Sequence, residues 1–198
     1  MRLSSGPAVR AASLGCAFVL AACAGLTPER PLSPPSPVVF PPTIASFEAA
    51  GRLSVRHGGD ALTANFRWRH DGDQDELDLA SPLGQTVARL SGGRDGVTLR
   101  TADGRVVTGT DWPALTARAF DWSLPVDGLA FWIQGVPRAD APFVAERAAD
   151  GTLGFLRQDG WTIAYQSFAS DAAGVVRPGR MTLSYPNVEL RLVVDSWQ

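Results

Sequence analysis

Short runs in which apolar and polar side chains alternate recur along most of the chain after residue 50, and this pattern restricts the fold more than any other feature. In the clearest run, residues 62–69, Leu, Ala, Phe and Trp alternate with Thr, Asn and two Arg. Similar runs lie at 52–56, 76–79, 97–100, 161–165 and 188–194. A period of two places alternate side chains on opposite faces of a β-strand. The pattern therefore predicts half-buried strands, each with one apolar and one polar face.

Turns rich in glycine and aspartate separate these strands at short intervals. Glycine adopts a positive φ without steric cost, and aspartate tolerates one. The turns lie at 58–60, 71–73, 92–96, 103–104, 150–151 and 159–160. Short turns between successive strands indicate antiparallel hairpins. The sequence therefore predicts a mainly β fold built on an antiparallel sheet.

Two segments in the middle of the chain break the alternation and predict short helices. Asp111 is suited to cap a helix that has Pro113 in its first turn and runs to about Phe120. A second helix is expected to begin after Pro125, with its apolar residues at helical spacing, and to stop at Gly135.

This helical insert contains a large share of the aromatic side chains. They are Trp112, Phe120, Trp122, Phe131 and Trp132. These rings could plug the open end of a barrel, or they could form an apolar ligand-binding wall. The pattern leaves both interpretations open, because sealed cores and cavities use the same side chains. A meander of strands with a helical lid favours a cavity, since a curved sheet that nearly closes can hold one ligand inside.

The beginning of the chain has the order of a bacterial export signal. Arg2 and Arg10 supply positive charge, and an apolar stretch too short to span a bilayer follows. Residues 20–23, Leu-Ala-Ala-Cys, resemble the lipobox of bacterial lipoproteins, in which the cysteine receives a diacylglycerol and becomes the new N-terminus. We therefore predict a lipoprotein signal peptide at 1–22 and lipid attachment at Cys23. An ordinary signal peptide that is cut elsewhere is the alternative.

Prolines crowd the segment that follows, between Pro28 and Pro42. Such segments are typically extended, so we interpret 23–42 as a lipidated N-terminus with a proline-rich tether, and 43–198 as the folded domain. A plain disordered N-terminus and a PxxP partner motif are the alternatives. Ala24, rather than Asp, follows the cysteine. Under the sorting rule of bacterial lipoproteins this predicts an anchor in the outer membrane, with the domain facing the periplasm.

Charge and motif content argue against several other classes of protein. The chain has 18 basic and 20 acidic residues, so it has no basic excess with which to neutralise nucleic-acid phosphates. Its two histidines, His57 and His70, stand beside Gly/Asp turns, and none of the HExxH, CxxC or GxSxG spacings is present. We therefore expect ordinary hairpin histidines, no catalytic residue and no nucleic-acid partner.

The aspartates of 71–75 begin like a calcium loop, but Glu76 and Pro82 occupy the positions that require Gly and Glu. We interpret these aspartates as a solvated turn, and we expect neither a metal nor a cofactor. A carboxylate pair that folding brings together remains the enzymatic alternative, although no particular pair is indicated.

Several short motifs follow one another along the chain in a characteristic order. They are Gly51-Arg52-Leu53, Ala64-Asn65-Phe66-Arg67-Trp68, Ser81-Pro82-Leu83-Gly84, Leu124-Pro125-Val126, Leu129, Trp132-Ile133-Gln134-Gly135, Gln158-Asp159-Gly160-Trp161 and Trp197. In these motifs and their order, the chain resembles the LolB family, outer-membrane lipoproteins that receive other lipoproteins from the periplasmic carrier LolA. The resemblance covers about residues 47–197.

The resemblance implies a half-open antiparallel β-barrel with a lid of short α-helices, which enclose an apolar cavity for the acyl chains of a lipoprotein. The implied function is to accept lipoproteins from LolA and insert them into the inner leaflet of the outer membrane. We expect a monomer with three partners: LolA, acylated cargo and outer-membrane lipid. The candidate cavity residues, chosen by alternation or by position in the lid, are Phe66, Trp68, Leu77, Leu79, Trp112, Phe120, Leu129, Trp132 and Ile133.

The resemblance also implies a protruding loop whose exposed apolar residue helps to deliver cargo into the bilayer. The matching residue is Leu83, between Pro82 and Gly84. Proline and glycine both interrupt a strand, so Leu83 is expected at the tip of a turn. Leu83 folded back onto the core is the alternative. A second interpretation of the whole chain is a lipid-anchored module that binds another apolar ligand or an envelope protein.

Overall fold

The computed structural model describes residues 37–198. The predicted signal peptide, Cys23 and most of the predicted tether lie outside these residues. The first half of the domain contains β1 (Ser46–His57), β2 (Asp60–Asp71), β3 (Gln74–Ala80), β4 (Thr86–Gly93), β5 (Gly96–Thr101) and β6 (Val106–Gly109). The second half contains α1 (Trp112–Phe120), α2 (Val126–Trp132), β7 (Phe143–Arg147), β8 (Leu153–Gln158), β9 (Trp161–Ser170), β10 (Val176–Tyr185) and β11 (Val188–Trp197).

All eleven strands form one antiparallel sheet in the order β6-β5-β4-β3-β2-β1-β11-β10-β9-β8-β7. The first and last strands are therefore neighbours at its centre, where Leu53 lies opposite Leu192. Strands β6 and β7 form the two edges and do not pair with each other, so the sheet stays open on one side. The predicted mainly β, half-open antiparallel architecture with a lid of short helices is confirmed.

One face of the sheet carries the apolar core. In β2 the side chains of Ala64, Phe66 and Trp68 are buried, and those of Arg67 and Arg69 are exposed on the other face. The inner faces of the strands and the buried faces of both helices form a single apolar cluster. Burial of each large apolar side chain contributes about 1.5–3 kcal/mol. Every buried residue of this cluster lies between Phe47 and Val194, so a chain that starts at Ala24 retains the whole core.

A bulge in β11, where Asp195 is the extra residue, lies where the two central strands approach closely. The pairing register between β1 and β11 shifts between Ala50 and Gly51. A Cβ atom on Gly51 would lie 2.0 Å from the carbonyl oxygen of Val193. Since no side chain fits at that distance, glycine is required at this position.

The two helices agree with their sequence signals. The side chain of Asp111 accepts a 2.7 Å hydrogen bond from the backbone N–H of Ala114, and Pro113 lies in the first turn of α1. Helix α2 ends at Trp132, and a turn then leads to Gly135, whose φ of 78° is left-handed. Within residues 37–198, neither helix is long and apolar enough to cross a membrane.

The last residues of the predicted tether, 37–42, contact the folded domain. The ring of Phe40 packs edge-on against Phe143 at 5.6 Å, and the side chain of Arg147 donates a 2.6 Å hydrogen bond to the carbonyl oxygen of Pro37. A proline-rich segment has few N–H donors for a sheet, but its apolar side chains still pack against one. Residues 37–42 therefore pack against the domain through Phe40 and Pro37.

Candidate functional site

An apolar cavity of about 320 Å³ lies between the inner face of the sheet and the helical segment. Strands β1, β2, β3, β4 and β11 form its floor, and the segment from the end of α1 through α2 forms its roof. The lining residues are Leu53, Val55, His57, Asp60, Ala61, Leu62, Phe66, Trp68, Leu77, Leu79, Leu90, Phe120, Trp122, Leu124, Leu129, Ile133, Leu190 and Leu192. Such a lining suits an apolar ligand.

The mouth of the cavity lies at the turn between β1 and β2. The ionisable lining residues, His57 and Asp60, flank this turn, and Ala61 and Leu62 beside them are exposed. Phe120, at the end of α1, is 37% exposed and stacks on Trp122 with a centroid distance of 6.3 Å. The interior of the cavity is therefore apolar. Its solvent-exposed opening lies between the β1–β2 turn and the rings of Phe120 and Trp122.

Seven of the nine predicted cavity residues line this space: Phe66, Trp68, Leu77, Leu79, Phe120, Leu129 and Ile133. Leu129 and Ile133 are four residues apart and share one face of the helical segment. The pairing of β2 with β3 sets Phe66 opposite Leu79 and Trp68 opposite Leu77, so these four side chains form a continuous part of the wall.

The expectation has to be corrected for Trp132 and Trp112, which do not line the cavity. Trp132 is fully buried, its Nε1 donates a 2.9 Å hydrogen bond to Gln158, and its ring lies 6.4 Å from that of Trp161. Its ring packs over Gly128 and toward Trp161 instead of entering the cavity. Trp112 begins α1 and is buried beside the polar turns at the other end of the sheet, near His70.

Several lining residues were missing from the predicted set. They are Leu53, Val55, Ala61, Leu62, Leu90, Trp122, Leu124, Leu190 and Leu192, together with His57 and Asp60 at the mouth. Leu53, Val55, Leu190 and Leu192 lie on apolar faces of alternating runs, so the pattern marks them as buried. The pattern does not reveal that β1 and β11 are adjacent and lie beneath the lid.

A buried polar network holds Trp68 in the cavity wall. Its Nε1 donates a 2.7 Å hydrogen bond to Oδ1 of Asp75, and Nδ1 of His70 lies 2.8 Å from the same oxygen. Asp75 is buried within β3, directly opposite His70 on β2. The interpretation of the aspartates at 71–75 as a solvated turn is therefore wrong for Asp75, because its two partners replace water.

The negative charge of Asp75 also acts on an ionisable residue of the lid. Asp127 lies in the first turn of α2, and its side chain is exposed at the surface. Partial burial, and next the negative charge of Asp75, raise the pKa of Asp127 above its ordinary value. A change in the charge of Asp75 would therefore change the pKa of Asp127 in the lid helix.

The turn between β3 and β4 carries the most exposed large apolar side chain in the described part of the chain. Leu83 is 90% exposed and is not folded back onto the core. The backbone N–H of Gly84 donates to the carbonyl oxygen of Ser81 at 2.8 Å, and Gly84 has a φ of 83°. Pro82 precedes Leu83 in this turn and is also exposed. The turn therefore presents Leu83 to solvent.

The Leu83 turn and the cavity mouth lie at the same end of the sheet. Strands β1 to β6 form an antiparallel meander, in which alternate turns share an end. The turns at 58–59, 81–85 and 102–105 therefore lie together, opposite those at 72–73 and 94–95. At the first end, the molecule combines an apolar opening with a projecting leucine.

Comparisons with known proteins identify the family of this chain. A family model described as outer membrane lipoprotein LolB matches residues 45–197, which is most of the chain. The chain belongs to the LolB family. An outer-membrane lipoprotein LolB of Thiobacillus denitrificans is 37% identical, with 92% of this chain and 93% of that protein covered. An outer-membrane lipoprotein LolB of Nitrosomonas europaea is 36% identical, with 96% and 93% covered.

Solved structures with a related outline are more distant. A LolA superfamily protein from Nitrosomonas europaea has a TM-score of 0.47 and 8% identity over 81% of this chain and 88% of that chain. Membership of the LolB family confirms the predicted class, an outer-membrane lipoprotein. Within residues 37–198, no three His, Cys, Asp or Glu side chains are grouped to hold a metal ion.

Proposed function

We propose that this LolB-family protein accepts lipoproteins from the periplasmic carrier LolA in its apolar cavity and inserts them into the inner leaflet of the outer membrane. The observation that carries the proposal is the apolar cavity beneath a helical lid, open at the end of the sheet where Leu83 projects. In this proposal, Cys23 carries the lipid anchor and the domain faces the periplasm.

The energetics of an acyl chain explain why a binding cavity is needed. An exposed chain of about fifteen methylenes costs roughly 12 kcal/mol, at about 0.8 kcal/mol for each buried CH₂. A cavity with apolar walls lowers this cost during passage through water. Transfer from carrier to receptor and then to membrane requires only that each successive site bind the chain more tightly. The handover as proposed needs no nucleotide, metal or catalytic residue.

The Leu83 turn is assigned to the delivery step. Leu83 is almost fully exposed, and Pro82 and Gly84 hold the turn away from the strands. A leucine in that position loses its contact with water when it enters a bilayer. Since the cavity mouth lies at the same end, an acyl chain that leaves the mouth is released beside the point of membrane contact.

The cavity would also suit a second candidate function. A lipid-anchored module that binds another apolar ligand, or an envelope protein, would use the same walls. The two functions differ in their dependence on LolA, because only a receptor takes its cargo from the loaded carrier.

A transfer experiment tests the proposal. A soluble form starting at Ala24 is mixed with LolA that carries a labelled lipoprotein, and each protein is recovered through its own affinity tag. We expect the label to move to the soluble form. A matched variant, Phe120→Asp, places a charge at the cavity mouth and should accept less label. If the label stays on a carrier that delivers to another receptor, the proposal fails and the generic binding module is favoured.

A further inference from the structure

The hairpin of β5 and β6 lies beside the Leu83 turn and has surface properties that the proposed function does not use. Strand β5 pairs with β4, and the backbone N–H of Ala102 donates a 3.0 Å hydrogen bond to the carbonyl oxygen of Val87. In the sequence, Val87 lies shortly after the Leu83 turn, at the start of β4. This hydrogen bond therefore connects the turn at 102–105 to β4, the strand that follows the Leu83 turn.

This hairpin exposes an apolar side chain on the outer face of the sheet. Val106 begins β6 and is 49% exposed, whereas the next residue, Val107, is buried on the inner face. A single exposed valine is common on protein surfaces. Val106 can contribute to a binding surface only together with its neighbours, which include Leu83 on the adjoining hairpin.

Two exposed arginines flank Val106. Arg100 lies directly opposite it on β5, and Arg105 immediately precedes it. Neither guanidinium forms a salt bridge with a residue in 37–198, whereas Arg89, on the neighbouring strand, pairs with Asp78 and Glu76. The carboxylate of Asp103, in the same turn, accepts hydrogen bonds from the Thr101 hydroxyl and the Arg105 backbone N–H. Asp103 thus closes the turn and leaves both guanidinium groups facing solvent.

We propose that Arg100, Arg105 and Val106 form a second contact with an anionic phospholipid surface, beside the Leu83 turn. The guanidinium groups bind headgroup phosphates, for which their planar donor fork is suited. Val106 lies at the level of the interface while Leu83 inserts deeper, as apolar side chains do at a bilayer boundary. The inference rests on the membrane role proposed for Leu83.

A two-point contact has a geometric consequence that one leucine does not have. A single inserted residue leaves the domain free to rotate about it. A second contact on the adjoining hairpin limits this rotation and keeps one orientation of the cavity mouth toward the lipid. The charge complementarity favours a lipid surface over a protein partner, because both cations are available and lie next to apolar side chains.

Vesicle binding of the soluble form starting at Ala24 tests this inference. The vesicles contain phosphatidylethanolamine and phosphatidylglycerol, or phosphatidylcholine alone, and binding is measured by flotation. Loss of one arginine charge near an anionic surface should weaken binding by about fivefold. We therefore expect Arg100→Gln and Arg105→Gln each to cause about this loss on anionic vesicles, and almost none on phosphatidylcholine. Val106→Asp should weaken binding on both.

Matched control variants lie on a distant strand. Val176 and Arg180 of β10 are both exposed, and Val176, at 53%, is exposed to nearly the same extent as Val106. Val176→Asp and Arg180→Gln should leave vesicle binding unchanged. Equal losses from both sets of variants would show general electrostatics and overturn the inference, as would unchanged binding in the hairpin variants.

Cargo transfer from LolA, measured without vesicles, separates this inference from the proposed function. Hairpin variants that accept cargo normally but bind vesicles weakly support a lipid contact. Hairpin variants that lose acceptance instead identify a carrier-docking surface and overturn the lipid assignment. If the unchanged protein accepts no cargo, the proposed function fails, whatever the vesicles show.

Discussion

The indole Nε1 of Trp68 donates a 2.7 Å hydrogen bond to Oδ1 of Asp75, so a cavity-wall side chain is fixed by a buried carboxylate. His70 contacts the same oxygen at 2.8 Å. Asp75→Leu removes the acceptor and leaves a buried donor without a partner, at a cost of about 1–3 kcal/mol. Asp75→Asn retains a side-chain oxygen and should cost less. Urea unfolding of the two variants measures the difference, and equal losses would contradict a specific role for this acceptor.

Leu83→Glu should separate acceptance of cargo from its delivery. Leu83 does not line the cavity, so the variant should take labelled lipoprotein from LolA at the normal rate. Delivery into vesicles should fall by about tenfold or more, since burial of a leucine side chain is worth about 1.5–3 kcal/mol. Val144→Glu, another exposed apolar position, is the control. Equal loss of acceptance and delivery would refute the assignment of this turn.

Phe120→Asp should weaken cargo acceptance without unfolding the domain. Phe120 lines the cavity but is 37% exposed at its mouth, so a carboxylate there remains partly hydrated. The lost apolar contact predicts a reduction of about tenfold in transfer from LolA. Phe143→Asp is a matched control, because Phe143 is 45% exposed and lies outside this cavity. The assignment of the mouth is wrong if both variants lose transfer to the same extent.

Gly51→Ala should destabilise the centre of the sheet. The added Cβ would lie 2.0 Å from the Val193 carbonyl oxygen, so the bulge between β1 and β11 must shift. We expect a loss of about 3 kcal/mol in the free energy of unfolding, in the upper range for single substitutions. Gly59→Ala is the control, because a Cβ atom on Gly59 would point into open space, more than 4 Å from any non-adjacent residue in 37–198. Similar unfolding curves for the two variants would contradict the close approach.

Asp127→Asn should stabilise the protein in a pH-dependent manner. Partial burial, and then the charge of Asp75, raise the pKa of Asp127 in the folded state. The folded protein therefore holds this proton more tightly than the unfolded chain does, and stability falls as pH rises from about 3.9 through the folded-state pKa. The gain from Asp127→Asn should be present at neutral pH and should vanish below pH about 4. Unfolding at several pH values tests this, and a gain that is independent of pH would show another cause.

Much of the fold follows from local sequence signals. The alternation at 62–69 assigns the side chains of β2 to the correct faces, and Asp111 marks the start of α1 correctly. Gly135 closes the turn that follows α2, three residues after the helix ends at Trp132. These features depend on a few neighbouring residues, so the sequence contains the information directly.

The parts that sequence reasoning missed depend on contacts between distant segments. Trp132 and Leu129 are both apolar, and only the packing of α2 decides that Leu129 faces the cavity while Trp132 faces Gln158. Asp75 stands in an acidic run that resembles a solvated turn, but its pairing with His70 and Trp68 buries it. The contact of Phe40 with Phe143 likewise joins segments that no local pattern connects.

The adjacency of β1 and β11 has a consequence for the order of assembly during export. A chain that enters the periplasm from its N-terminus delivers β1 early, but the partner on one side of β1 is the last strand to arrive. Until then, β1 keeps a bare edge and the cavity lacks Leu190 and Leu192. A chain truncated before Val188 therefore cannot complete the cavity wall. In the function proposed above, acyl-chain binding is therefore expected only at the end of translocation, when the C-terminal strand closes the gap at the centre of the sheet.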